Sequence, residues 1–168
     1  PVPDGLIEKV EKEVVSKVLE GMAAEGMPFR GVLYVGLMLT ESGPKVLEFN
    51  CRFGDPECQP LLVLLDEDLL PILKSCAEGD LRQDSIAVRD GVSCCVVMAS
   101  GGYPGTIEKG HVIVGLDQER DGVVVFQAGT KRLANNSIVN NGGRVLGVTA
   151  FASDFKGARE RAYQAIDG

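Results

Sequence analysis

Glu48, Asn50, Arg52, Asp55 and Glu57 follow one another at short intervals in the segment Val46-Leu47-Glu48-Phe49-Asn50-Cys51-Arg52-Phe53-Gly54-Asp55-Pro56-Glu57. Val46 to Asn50 alternates apolar with polar, as a half-buried strand does, and on a strand successive side chains face opposite ways. Glu48 and Asn50 therefore share one face, Leu47 and Phe49 the other. Two oxygen donors converging on a point suit Mg²⁺, which takes few protein oxygens and fills its octahedron with water and substrate phosphates. Arg52 continues that face where the strand runs out, and its planar, permanently charged fork can grip a phosphate or a carboxylate at two points. Gly54 and Pro56 shape a tight turn that holds Asp55 and Glu57 near the same mouth. The segment thus offers partners for a metal ion, a phosphate and an amine. A second reading is open for Glu48 and Asn50 taken alone: they would be the solvated face of an edge hairpin, with Arg52 paired to Asp55 on the surface.

Periodicity on either side predicts the elements that position these residues. Gly31 to Thr40 reads as a glycine-interrupted apolar strand, Glu41-Ser42-Gly43-Pro44 as a hairpin turn, and Lys45 to Asn50 as the returning strand, with Val35, Leu37 and Leu39 expected to pack around Glu48. Before it, Ile7, Val10, Val14, Val18 and Met22 recur at helical spacing, with Asp4 as N-cap and Gly26 as stop; the opposite face, Glu8, Lys9, Glu11, Lys12 and Glu13, is solvated. After the polar loop, Pro60 opens a leucine-rich helix from about Leu61 to Glu78. Its inward residues are Leu61, Leu62, Leu65, Leu69, Ile72 and Leu73; Gly79 ends it, and Asp66-Glu67-Asp68 leaves room for a break.

Gln83 to Gly91 is polar and charged and reads as a junction. Beyond it come strands at Val92–Ala99, Val112–Leu116, Val123–Phe126 and Arg144–Phe151, with Asn135-Asn136-Ser137 and Asn140-Asn141-Gly142-Gly143 as turns. A last helix follows Ser153 as N-cap and places Ala158, Ala162, Ala165 and Ile166 at core spacing. The expected organisation is residues 1–82, a junction at 83–91, and a β-rich unit at 92–168.

Composition narrows the function classes. With 168 residues, 45% of them hydrophobic, there is material for one domain or one and a part. No run of apolar residues reaches membrane-spanning length and no leader of secretory type is evident, so no membrane partner is expected and the default compartment is cytoplasmic. A formal charge of −7, with Arg30, Lys109, Lys131, Arg132 and Arg144 dispersed, disfavours nucleic acid. Cys51, Cys58, Cys76, Cys94 and Cys95 fit no zinc spacing and read as reduced thiols and small apolar filler.

The dodecapeptide resembles the metal-binding strand and following loop of the glycinamide ribonucleotide synthetase (phosphoribosylamine–glycine ligase) family of ATP-grasp enzymes. Ala99-Ser100-Gly101-Gly102-Tyr103-Pro104-Gly105, Lys109-Gly110, Phe126-Gln127-Ala128-Gly129-Thr130 and Gly142-Gly143-Arg144-Val145-Leu146-Gly147-Val148-Thr149-Ala150 resemble the same family in the same order. The likeness runs from about Gly31 to the C-terminus, and the preceding helix fits it. It implies an α+β fold: the second half of an ATP-grasp domain with a mainly antiparallel sheet, then a small β-rich C-terminal domain. Complete members are longer, so the chain reads as a fragment that works with the remaining subdomains of a parent enzyme and is inactive alone.

The resemblance implies an ATP-dependent ligase of de novo purine biosynthesis. ATP phosphorylates the glycine carboxylate, and the amine of 5-phosphoribosylamine attacks the acyl phosphate. Carried onto this chain, Glu48 and Asn50 would hold Mg²⁺ (or Mn²⁺), Arg52 would stabilise the transferring phosphoryl group, Asp55 and Glu57 would hold the glycine ammonium and order the loop, and Leu47 would border the adenine pocket. The alternatives are another ATP-grasp carboxylate–amine ligase, such as a biotin carboxylase-like protein, against which the Arg-Phe-Gly-Asp-Pro-Glu loop speaks, or a catalytically incomplete nucleotide- or metal-binding module.

Three further features carry less. Ser100 to Gly105 lacks the Lys-Ser/Thr ending of a P-loop and reads as a wide turn, which the resemblance would place toward the substrate cleft. His111, alone of its type, is expected at a strand edge, and Gln127 stands where the family carries a histidine before Ala-Gly-Thr. Arg144 either binds a substrate phosphate or pairs with an acid.

Overall fold

The computed structural model describes residues 2–167. Packing divides the chain into two units that are not consecutive in sequence: one runs up to Phe53 and takes in Leu69–Gln83, the other joins Gly54–Asp68 to the chain from Asp84 onward. The packing division thus enters the chain after Phe53 and after Asp68 as well as near the polar stretch at 83–91.

In the first unit, α1 (Leu6–Val10), a π-helical turn (Glu11–Val15) and α2 (Ser16–Ala24) follow without a gap. Asp4, expected as the N-cap, lies one residue early. Gly5 takes the cap position with φ of 71°, and no side chain caps the helix. Ile7, expected inward, is exposed, whereas Val10, Val14, Val18 and Met22 are half-buried. Gly26 stops the helix as expected: at φ of 77° it lets the Met27 N–H return to the Met22 carbonyl at 2.9 Å. Strands β1 (Tyr34–Thr40) and β2 (Gly43–Asn50) form an antiparallel ribbon joined at Glu41-Ser42. Pro44, which has no N–H to give, is tolerated because each strand of a two-stranded ribbon has an unpaired edge. Helix α4 (Leu69–Glu78) completes the unit.

The second unit is a helix–sheet–helix sandwich. Its sheet has the order β3 (Val92–Ala99), β7 (Arg144–Ala152), β4 (Val123–Gln127), all antiparallel, with β7 in the centre. Helix α3 (Cys58–Leu64) and helix α5 (Phe155–Asp167) both pack on β3 and β7. Ser93 Oγ donates to the Pro60 carbonyl at 2.8 Å, and Gly147 leaves room for Gln59, so that face belongs to α3. Leu146 and Val148 share a cavity with Ala165 and Ile166, so the other face belongs to α5. A strand covered on both faces loses the alternation of a half-exposed one, and Val145 to Ala150 is buried without interruption. Ala158 and Ala162 are fully buried, as their spacing predicted. The cap of α5 is Asp154 rather than Ser153: its Oδ1 accepts the Gly157 N–H at 2.7 Å.

The single helix expected over 61–78 is two helices. Between them the Asp66 N–H donates to the Ala87 carbonyl at 3.0 Å, the Arg89 N–H to the Leu64 carbonyl at 2.8 Å, and Leu65 bridges to Val88. Backbone groups that would have continued the helix are spent on this antiparallel contact. The inward set changes with it: Ile72 is buried as expected, Leu61 and Leu73 are exposed, and Val63 is buried instead. Val112–Leu116 is no strand; it makes one bridge, Val112 to Val139. Its partner lies in a short hairpin, β5 (Thr130–Arg132) with β6 (Ile138–Asn140), turned at the expected Asn135-Asn136-Ser137. Among the described residues no helix is long and apolar enough to cross a membrane.

Candidate functional site

Register decides where the acid–amide pair points. Tyr34 pairs with Asn50, Val35 with Phe49 and Gly36 with Glu48. Glu48 and Asn50 therefore share one face, and Asn50 Nδ2 donates to Glu48 Oε1 at 3.0 Å. Cross-strand partners lie on the same face, so Glu48 sits over Gly36 beside Tyr34. Val35, Leu37 and Leu39, expected around Glu48, belong to the opposite face. A Cβ at position 36 would stand 3.1 Å from Glu48 Cγ, so the glycine makes room for the acid. The lone glycine inside an apolar strand was the signal that could have found it.

Between Gly36 and Leu37 the register slips, Leu37 facing Val46, and Leu47 is left without a partner as a β-bulge. The residue is 63% exposed. β2 ends at Asn50, and Arg52 lies in the bend beyond it. Arg52 thus does not extend the strand face as the alternation implied; its Nη1 donates to the Phe53 carbonyl at 2.8 Å.

Asp55 and Glu57 open the second unit. Asp55 Oδ1 accepts from Gln59 Nε2 at 3.0 Å, Oδ2 lies 3.2 Å from Arg144 Nη2, and the Asp55 carbonyl accepts from Arg144 Nη1 at 2.6 Å. Of the two readings of Arg144, the structure shows the pairing with an acid. Burial, and then the Asp55 charge, push the Cys58 thiol above its ordinary pKa.

Asn140, at the head of the turn expected over Asn140-Asn141-Gly142-Gly143, ties together the loops around it. Asn140, 7% exposed, donates from Nδ2 to Ser100 Oγ at 2.7 Å and to the Glu108 carbonyl at 2.6 Å, and accepts the His111 N–H on Oδ1 at 2.8 Å. Ser100 Oγ donates onward to the Gly142 carbonyl at 2.7 Å. Ser100–Gly105 is thus an anchored turn beside a cavity of about 260 Å³ lined in part by Ser100, His111 and Asn140. His111 pairs with Glu108 at 3.2 Å in an exposed position, and Gln127 accepts from Thr130 Oγ1 at 3.2 Å.

Among the described residues no three His, Cys, Asp or Glu side chains gather to cage a metal ion. The pair of oxygen donors, Glu48 exposed and Asn50 half-buried, instead fits a cation that brings its other ligands with it, as Mg²⁺ bound to phosphates does. Residues 1–58, which contain this ribbon, match the phosphoribosylglycinamide synthetase ATP-grasp (A) domain, so the class is that of ATP-grasp enzymes. Residues 93–168 match the phosphoribosylglycinamide synthetase C domain, and the chain belongs to the phosphoribosylglycinamide synthetase family.

Relatives agree. The chain is 52% identical over 164 residues to a phosphoribosylamine–glycine ligase of Phenylobacterium zucineum, with 96% of this chain and 39% of the relative covered. It is 48% identical to the trifunctional purine biosynthetic protein adenosine-3 of Gallus gallus, over 96% of this chain and 16% of that protein. The crystal structure of phosphoribosylamine–glycine ligase from Thermotoga maritima superposes with a TM-score of 0.85 at 34% identity, over 99% of this chain and 41% of that one. The chain therefore spans about two fifths of the length of its single-function relatives.

Proposed function

We propose that this chain serves a phosphoribosylamine–glycine ligase, joining glycine to 5-phosphoribosylamine at the expense of ATP. The observation that carries the proposal is the acid–amide pair, Asn50 Nδ2 to Glu48 Oε1 at 3.0 Å, on a ribbon that falls within the matched ATP-grasp domain. Transfer of the γ-phosphoryl group to the glycine carboxylate leaves little covalent chemistry to the protein; positioning and charge neutralisation do the work. Glu48 and Asn50 would hold Mg²⁺, or Mn²⁺ in its place, through the amide and carboxylate oxygens. Bound there, the ion neutralises charge on the nucleotide phosphates.

Arg52 would turn its guanidinium from the Phe53 carbonyl to the transferring phosphoryl group, exchanging a neutral acceptor for a charged one. The acidic turn Asp55–Glu57 would meet the glycine ammonium, and the exposed Leu47 would border the adenine. The amine of phosphoribosylamine then attacks the acyl phosphate, expelling inorganic phosphate and forming the amide. ATP, glycine, phosphoribosylamine and the remainder of the ligase are the partners of this reading, and the reaction belongs to the cytoplasm.

The test is glycine- and phosphoribosylamine-dependent ADP formation by the full-length ligase carrying this segment. Replacing Glu48 with Gln should lower kcat by about 10²- to 10³-fold and raise the Mg²⁺ concentration needed for half-maximal rate. Wild-type activity in that variant would remove Glu48 from the ligand set, and absence of glycine-dependent turnover in the parent would remove the ligase reading itself.

A further inference from the structure

Asp55 is held at three of its oxygen atoms by two residues of the second unit. Arg144 opens β7 and reaches both the backbone carbonyl and Oδ2 of Asp55; Gln59, on the first turn of α3, takes Oδ1. Both partners are themselves seated. The Cβ position of Gly147 would lie 3.6 Å from Gln59 Cγ, so the Gln59 stem packs on the central strand. The Arg144 carbonyl accepts the Gly129 N–H at 2.9 Å, and a side chain on Gly129 would collide with it. That is a physical reason for glycine in the Ala-Gly-Thr motif.

The ionic groups are 40% and 47% exposed, and an isolated pair so placed contributes little stability. A guanidinium that grips a carbonyl and a carboxylate of the same residue does something else: it fixes orientation, which a single-point ammonium would not. The residue so oriented begins the acidic turn, and the Cys58 N–H closes that turn on the Gly54 carbonyl at 2.9 Å.

We infer that Arg144 is a positioning residue for glycine: it sets the Asp55–Glu57 turn in the orientation that receives the glycine ammonium, with Asp55 serving as the anchor of the arginine. The inference rests on the ligase reading and deepens it, by separating two carboxylates that the sequence leaves equivalent and by giving Arg144 no contact with a substrate phosphate.

The experiment is steady-state kinetics of the full-length ligase carrying this segment, varying each substrate in turn. Arg144→Ala should raise the KM for glycine by about tenfold and leave those for ATP and phosphoribosylamine within about twofold. Arg144→Lys, which keeps the charge without the two-point grip, should recover part of the loss. Asp55→Asn should resemble Arg144→Ala, and the double variant should be no worse than either, since both break one contact. Hydrogen exchange at the Cys58 amide should quicken in Arg144→Ala; unchanged exchange would show that no clamp exists. A raised KM for phosphoribosylamine would make Arg144 a phosphate contact, and additive losses dominated by Asp55→Asn would make Asp55 the ammonium contact; either overturns the inference. If the wild-type protein turns over with glycine and none of these variants changes its KM, the inference alone fails; if the wild type does not turn over at all, the ligase reading fails first.

Discussion

The ribbon β1–β2 and the sheet β3–β7–β4 are both antiparallel and both rich in apolar side chains, yet their burial is opposite. In the ribbon Leu39, Val46, Leu47 and Phe49 are exposed; in the sheet Val145 to Ala150 is buried throughout. The difference lies in what covers the faces. Helices α3 and α5 close the two sides of the sheet, whereas a two-stranded ribbon has little to pack on within its own unit. The same polar residue type therefore means different things in the two places. Asn140, sealed in the second unit with each amide atom partnered, fastens loops; Asn50, half-buried at the end of the ribbon, gives its side-chain nitrogen to the exposed Glu48.

Leucine substitutions test the contrast most strongly. Leu146→Ala, at a residue 6% exposed, should cost about 3 kcal/mol in denaturant unfolding, from lost transfer energy and the cavity left behind. Leu47→Ala should stay within about 0.5 kcal/mol, since its side chain is already in solvent. Comparable losses at the two would mean that the ribbon is covered in solution and would break the comparison. The asparagines come next. Asn140→Ala strands the His111 N–H without its acceptor and should cost about 2 kcal/mol, while Asn50→Ala should leave stability almost unchanged and act only on metal and nucleotide binding, read by calorimetry with Mg²⁺ and ATP.

The parts of this fold governed by local pattern were legible in the sequence. β3, β4 and β7, the helix Phe155–Asp167 with its alanine face, the stop at Gly26 and the turn at Asn135-Asn136-Ser137 follow from apolar runs bounded by turn residues, helical spacing and turn chemistry. The facing of Glu48 and Asn50 was legible for the same reason. What escaped depends on pairing at a distance. The break after Leu64 is made by Ala87 to Arg89, the bulge at Leu47 by the register against Gly36, and the β5–β6 hairpin by strands too short to show a period. Arg144 and Asp55 were each visible as charged residues, but only the fold brings Arg144 within 2.6 Å of the Asp55 carbonyl across 89 residues of sequence.

The cysteines carry the smallest effect and the sign of the electrostatics. All five are free. Cys95 is pushed above its ordinary pKa, first by burial and then, with the neighbouring Thr149 acting in the opposite sense, by the charges of Cys94 and Asp55; Cys58 is raised by burial and, second, by Asp55. Since the thiolate is the reactive form, alkylation at about pH 7.5 should label the exposed Cys51 well ahead of Cys58 and Cys95, by about tenfold or more. Folded-state values above the unfolded one also fix the pH dependence: this contribution to stability is fully present below about pH 8.5 and is lost as pH rises through the folded values. Asp55→Asn removes only the secondary cause, so Cys58 should label faster by a margin smaller than its lag behind Cys51. Labelling of Cys58 that caught up with Cys51 in that variant would mean that charge, not enclosure by the sheet and α3, governs this end of the second unit.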